Sequence, residues 1–190
     1  MIPKRLLFIV VLLLGHSLLF GQQNNDCLAF QDKSEQSGWQ RWVTTSTVLL
    51  QYTDSAARSH LNGQQQWTVA VGLSYVASGH YFLKATITLR LSPFEPFPPI
   101  LQAETPFHFY FLNETDVTLK TLTRSVPMRV DKTSTYRYDV DFILPKQAVK
   151  KLRSKELDQL KLSWKDQLLV FELYDVDFFK RHFDCLDAHL

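Results

Sequence analysis

WTVAVGLSYVA at residues 67–77 and YFLKATITLRL at residues 81–91 are the two stretches that decide the fold. In both, large apolar side chains alternate with small or polar ones, which is the period of a β-strand with one buried face. The turn between them contains Gly79, and a glycine turn between two alternating segments indicates an antiparallel hairpin. One face of the hairpin carries Trp67, Val69, Val71, Leu73, Tyr75, Ala77, Tyr81, Leu83, Ala85, Ile87, Leu89 and Leu91.

The rest of the chain has the same β character. Short polar turns join the segments, and no strand–helix–strand spacing indicates a parallel sheet. Pro145 opens a predicted short helix at residues 146–153, and apolar spacing predicts another at 177–186. We therefore predict an all-β fold: an antiparallel β-sandwich of about eight strands with one or two short helices near the C-terminus. The other predicted strands are 41–52, 107–112, 117–124, 135–144, 159–164 and 167–174.

The N-terminus has the pattern of a secretory signal peptide. Lys4 and Arg5 precede an apolar run at residues 6–14, and a second apolar piece follows at 18–20. We predict a signal peptide at residues 1–21, cleaved near Gly21 or Gln22. A retained membrane anchor is the alternative, although the unbroken run is short for about 30 Å of hydrocarbon. Residues 22–38 are predicted to form an irregular lead-in and residues 39–190 the sandwich domain.

The charge of the mature chain gives no reason to expect a highly charged partner. Lys4 and Arg5 account for the whole net charge of +2, so removal of residues 1–21 leaves a neutral protein. We expect no nucleic-acid partner and no stable membrane insertion after signal cleavage. The basic cluster of Lys146, Lys150, Lys151, Arg153 and Lys155 is interpreted as a solvated helix face.

Cys27 and Cys185 are the two cysteines of the chain and lie near the two ends of the mature protein. In an oxidising compartment such a pair predicts one disulfide that closes nearly the whole domain into a loop. Two free thiols are the alternative. The pair has no Cys-x-x-Cys spacing, so it indicates neither a redox motif nor a cysteine zinc site.

No catalytic or cofactor motif is present. The chain contains no His-Glu-x-x-His, no Gly-x-Ser-x-Gly and no glycine-rich phosphate loop. We therefore predict no catalytic residue, no cofactor and no metal. Asp139 and Asp141 lie on one face of a predicted strand, at a spacing that suits the two carboxylates of glycoside hydrolysis. The alternative is that these alternate residues of a half-exposed strand are polar because they face water. The C-terminal set of Glu172, Asp175, Asp177, His182, Asp184, Asp187 and His189 lacks the spacing of a calcium loop.

The segment FEPFPPI, residues 94–100, is the most unusual in the chain and is called the proline loop below. Prolines keep it out of a sheet ladder and reduce the entropy cost of presenting large apolar groups. It therefore either forms a recognition surface or folds back over the end of the sandwich. Phe94, Phe97 and Ile100 are the predicted binding residues.

These observations favour a secreted or periplasmic β-sandwich that acts by binding a protein or a glycan, without catalysis. A small carbohydrate-active enzyme that uses Asp139 and Asp141 is the first alternative. An eight-stranded outer-membrane barrel, with small and polar residues of the alternating strands facing inward, is the second. The sequence does not identify the ligand.

Overall fold

Two antiparallel sheets make up the fold, as predicted from the alternating segments. The computed structural model describes residues 29–33, 40–92, 94–130, 134–165 and 167–190. Every strand pairing within them is antiparallel. The strands are β1 Ala29–Lys33, β2 Gln40–Thr44, β3 Thr47–Tyr52, β4 Trp67–Val76, β5 His80–Arg90, β6 Pro106–Phe111, β7 Asp116–Lys120, β8 Met128–Arg129, β9 Thr135–Leu144, β10 Leu157–Trp164 and β11 Gln167–Glu172.

The larger sheet has the order β1-β2-β4-β5-β9-β8, and β3 continues the line of β2 along β4. The predicted strand at 41–52 is therefore broken in two, at Thr45 and Ser46. The break lies where β4 has Gly72: a Cβ at that position would come within 3.0 Å of Ser46 Oγ. Thr44 Oγ1 replaces part of the interrupted ladder by accepting a 2.9 Å hydrogen bond from the Leu73 amide.

The smaller sheet has the order β11-β10-β6-β7 and packs its apolar face on that of the larger sheet. Edge-to-face aromatic pairs join the two layers. Phe107 contacts Phe142 and Trp67 contacts Trp164, each with ring centroids 4.9 Å apart. The predicted inward face of the central hairpin is confirmed for its middle, where Leu73, Leu83 and Ile87 are fully buried.

Three short helices complete the described fold: α1 Arg58–Leu61, α2 Lys146–Ser154 and α3 Phe178–Asp187. Pro145 ends β9 in an extended conformation and α2 begins directly after it. Helix α3 buries one apolar stripe, and its Phe179 lies edge-on to Phe109 of β6 at 5.5 Å. None of the helices in the described ranges is both long and apolar enough to cross a bilayer.

The N-terminal region differs from the prediction in one respect. A strand, β1, lies within residues 22–38, which the sequence predicts to be irregular. Its sequence, AFQDK, has no apolar alternation, so the local pattern does not predict a strand. The segment forms a strand because its backbone pairs with that of β2. Residues 1–21 and Cys27 lie outside the described residues, so the signal peptide and the disulfide stay predictions.

Candidate functional site

The proline loop lies at one end of the sandwich, between β5 and β6, and is fixed at both ends. At its start, the Glu95 amide donates to the Ser92 carbonyl at 3.0 Å. Near its end, the buried Tyr138 hydroxyl donates to the Pro99 carbonyl at 2.8 Å. Directly after the loop, Leu101 and Ser125 exchange two backbone hydrogen bonds. The end of the loop backbone is therefore held to β9 of the larger sheet and to the segment that contains Ser125.

The aromatic residues of this loop point outward. Phe94 is 95% exposed and Phe97 62% exposed, and Ile100 is also exposed. The Phe97 ring packs edge-on against Tyr136 of β9, with centroids 5.1 Å apart. Pro98 is the member of the loop that turns inward and is buried. The loop therefore has features of both arrangements that the sequence left open: its large apolar side chains are exposed, while Pro98 packs on the end of the sandwich.

A groove of about 330 Å³ lies beside the loop at the same end of the sandwich. In each antiparallel pair, the first residue of one strand lies beside the last residue of its neighbour. At this end of the sandwich β4 begins beside the end of β5, and β11 begins beside the end of β10. Two nearly buried tryptophans in T-shaped contact line it. Its described lining consists of Gln66, Trp67, Leu89, Leu91, Glu95, Trp164, Lys165, Gln167 and Leu169.

The described lining of the groove is part polar and part apolar. It offers one carboxylate, one ammonium and two amides around apolar walls, and contains no His, Cys or Ser. Amides and charged ends orient a ligand by hydrogen bonds, while aromatic and aliphatic walls supply the buried area. Glu95 belongs to both the proline loop and the groove, so the two features form one continuous surface.

Sequence reasoning found the proline loop and missed the groove. The sequence pattern places Trp67 and Trp164 in strands, but their contact depends on how the two sheets pack. The available signal was weak: each tryptophan is the end residue of its strand and is next to polar residues, Gln66 in one case and Lys165 in the other.

Asp139 and Asp141 lie on the outer face of β9, on the larger sheet. Arg137 contacts Asp139 through two nitrogens, at 2.7 and 3.1 Å, and Thr86 donates to the same carboxylate at 2.9 Å. Partial burial acts to raise the pKa of Asp139, but these hydrogen bonds and the charges of Arg137 and Lys84 hold that pKa below its usual value. A carboxyl group held ionised in this way is poorly suited to donate a proton.

The C-terminal acidic and imidazole residues are not brought together. Asp175 pairs with Arg181, and Asp187 pairs with Arg153. His182 is buried and its Nε2 lies 2.7 Å from the Thr47 hydroxyl oxygen. Among the described residues, no three His, Cys, Asp or Glu side chains are grouped so that they could hold a metal ion.

Comparison with known proteins adds no assignment to this geometry. No protein-family model, characterised protein sequence or solved structure matches the chain.

Proposed function

We propose that this protein is an exported, non-catalytic binding protein whose recognition surface is the proline loop with the adjoining groove. The observation that carries the proposal is the exposure of Phe94 and Phe97 on a loop whose backbone is fixed. Because the backbone that carries these groups is already ordered, less conformational entropy is lost when a partner covers them, and exposed large apolar groups often anchor interfaces.

The partner is a protein segment or a glycan. Both offer apolar faces to aromatic rings and polar groups to the amides and charges of Gln66, Glu95, Lys165 and Gln167. The neutral mature chain gives no support for nucleic acid, and Arg153 of the basic cluster is already paired with Asp187. We expect no stable membrane insertion after signal cleavage.

The proposal is tested with two probe sets, a displayed library of random peptides and an array of glycans. The full chain should select a consistent peptide or glycan class, and Phe94→Ala with Phe97→Ala should remove that selection. Ile143→Ala, an exposed apolar residue on the larger sheet, is the matched control and should keep it. Absence of any selected class, or selection that survives the double substitution, would overturn the proposal.

The enzyme alternative has a separate test, because it depends on Asp139 and Asp141. Hydrolysis of aryl glycosides by the purified chain, abolished by Asp139→Asn or Asp141→Asn, would contradict a non-catalytic role. The ion pair of Asp139 with Arg137 supports the expectation that no such activity is found.

The proposal that the protein is exported rests on residues 1–21, whose charge and apolar pattern are those of a cleaved signal peptide. We propose that the mature protein begins near Gln22 and is periplasmic or extracellular. N-terminal sequencing of the exported protein measures this directly. A sequence that begins at Met1 would show that the segment is retained.

A further inference from the structure

The turn between β6 and β7 contains an acceptor motif for N-linked glycosylation. Residues 113–115 read Asn-Glu-Thr, which matches Asn-x-Ser/Thr with a residue other than proline in the middle. The other asparagines, Asn24, Asn25 and Asn62, have no Ser or Thr two positions later. A motif this short also occurs by chance, so the geometry of the turn decides whether Asn113 is suited to hold a glycan.

The motif lies at the tip of a tight turn that faces solvent. The Glu114 amide donates to the Phe111 carbonyl at 2.9 Å, and the Phe111 amide donates to the Thr115 carbonyl at 2.9 Å. Phe111 is buried and anchors the turn in the core, whereas residues 112–115 are all exposed. An oligosaccharide on Asn113 would therefore extend into water and displace no core contact.

Thr115 holds the side chain of Asn113 in one orientation. The Thr115 hydroxyl donates to Oδ1 of Asn113 at 2.7 Å, and the Thr115 amide is 3.4 Å from the same oxygen. A backbone N–H can only donate, so Oδ1 faces Thr115 and Nδ2 faces away from it. Nδ2 is the atom that receives the sugar in this modification. The hydroxyl that the motif requires therefore contacts the acceptor amide itself.

The surroundings of the turn have room and polar groups for the first sugars. A surface cavity of about 470 Å³ lies beside it, and its lining includes Leu112, Asn113, Lys155, Glu156 and Lys180. Ammonium and carboxylate groups form hydrogen bonds with sugar hydroxyls. Leu112 is 56% exposed, so a sugar on the next residue would also cover apolar surface.

The turn lies at the end of the sandwich opposite to the proline loop and the groove. Strand β6 pairs with β10 so that Phe111 lies beside Leu157 at the start of β10. Trp164, which lines the groove, is the last residue of β10. A glycan on the turn therefore leaves the proposed recognition surface uncovered.

We propose that Asn113 carries an N-linked oligosaccharide in the mature protein, a proposal that rests on the proposed export because the sugar donor belongs to the secretory pathway. The donor is an oligosaccharide joined to a polyprenyl pyrophosphate. The bond from C1 of the first sugar to the pyrophosphate oxygen breaks, and a bond from C1 to Nδ2 forms. Nδ2 loses one proton, and the pyrophosphate leaves on the lipid with the electron pair of the broken bond. Nothing is oxidised or reduced.

The test is expression of the full chain in cultured eukaryotic cells, followed by treatment of the protein with a peptide N-glycosidase. One arm keeps residues 1–21, and the other replaces them with the signal peptide of a known secreted protein. The wild-type chain should fall in mass on treatment and should then contain aspartate at position 113, because the enzyme hydrolyses the bond between the side chain and the sugar.

Three substitutions and one control locate the site. Asn113→Gln and Thr115→Ala should abolish the mass shift, while Thr115→Ser, which keeps the hydroxyl, should retain it. Asn62→Asp is the matched control and should also retain the shift, because Asn62 is an exposed asparagine outside the motif. Asn62 has a left-handed backbone, which aspartate tolerates. All of these side chains are exposed, so each variant should melt within a few degrees of wild type.

The outcomes separate this proposal from the proposed export. A secreted wild-type chain whose mass does not change on treatment, or a shift that survives Asn113→Gln, would overturn the proposal. A chain that is retained in the first arm and glycosylated at Asn113 in the second would contradict export and still support Asn113 as the acceptor.

Discussion

Among the described histidines, His182 is the buried one. Its neighbours determine which ring nitrogen carries the proton. The Phe178 carbonyl oxygen, 2.9 Å from Nδ1, can only accept a hydrogen bond, so Nδ1 carries the proton. Nε2 then accepts from the Thr47 hydroxyl, which ties α3 to β3. Burial lowers the pKa of His182 below its ordinary value of 6.5, and the charge of Arg181 acts in the same direction.

This lowered pKa predicts a loss of stability on acidification. Below about pH 6.5 the unfolded chain takes up a proton at this position that the folded chain resists, so the free energy of unfolding falls as the pH decreases towards the folded pKa. Denaturant unfolding at neutral pH and near pH 5.5 measures the difference. His182→Gln should reduce the slope, while His80→Gln, which removes an exposed imidazole, should retain it. Equal slopes in wild type and His182→Gln would refute this account.

Tyr138 is the residue that joins the core to the proline loop. Its ring is buried edge-on to Trp164 at 5.4 Å, and its hydroxyl reaches the Pro99 carbonyl. Tyr138→Phe should cost about 1 kcal/mol of unfolding free energy, because it removes one hydrogen bond and leaves the ring packing. It should also weaken binding through the loop.

Thermal and denaturant unfolding measure the first effect, and binding to the selected probe measures the second. Tyr174→Phe, on a highly exposed tyrosine, is the matched control and should change neither. A Tyr138→Phe variant with unchanged stability and affinity would show that the hydroxyl does not position the loop.

Helices α2 and α3 are joined by Arg153. Its guanidinium pairs with Asp187 through both terminal nitrogens and donates to the Tyr81 hydroxyl at 2.8 Å. It also lies over the Phe183 ring, 4.7 Å from the centroid. This residue therefore fixes both helices to the start of β5. The basic cluster predicted to be a solvated face thus has members with structural contacts, Arg153 and also Lys151, whose Nζ donates to the Asp116 carbonyl at 2.8 Å.

Replacement of Arg153 should destabilise the fold. Arg153→Met keeps the apolar stem but loses the paired charge and the ring contacts, so we expect a loss of about 1–3 kcal/mol after allowance for partial exposure. Lys120→Met breaks the largely exposed pair with Glu104 and should cost close to nothing. Denaturant midpoints measure both, and equal effects would show that the Arg153 contacts add no stability.

Local pattern predicted some elements well and others poorly. The hairpin of β4 and β5 was predicted to within a residue or two, because strict alternation is a local property. The break between β2 and β3 was not, since it depends on the close approach of Ser46 to Gly72. The sequence left open whether Phe94 packs inward or stays exposed, because that depends on which loop residues contact the sandwich, and in the structure Pro98 is the buried one. The groove required the contact of two tryptophans far apart in sequence.

At the scale of the whole molecule, the two ends of the described chain lie near each other. Gln31 of β1 pairs with Trp42, and the Trp42 ring lies 6.1 Å from that of His189. Helix α3, which carries Cys185, packs against β2. Cys27 is two residues before Ala29, so this arrangement supports the proposed disulfide with Cys185.

The disulfide predicts a mass difference of about two hydrogens between the intact chain before and after reduction. Its loss should lower the free energy of unfolding by up to about 5 kcal/mol, because the closed loop spans nearly the whole domain. Unfolding with and without reductant measures this effect. Labelling of both thiols in native, unreduced protein would exclude the bond.

The central claim is that Phe94 and Phe97 serve recognition and not packing, and the most direct measurement is the melting temperature and affinity of Phe94→Ala with Phe97→Ala. Both side chains are mostly exposed, so the double variant should lose less than about 1 kcal/mol and melt within about 4 °C of wild type. Its affinity for the selected peptide or glycan should fall by at least about tenfold, as expected when an interface anchor is removed. Two results would contradict the account. One is a variant that unfolds readily, because truncation of a buried Phe costs about 3–5 kcal/mol. The other is a variant that keeps full affinity.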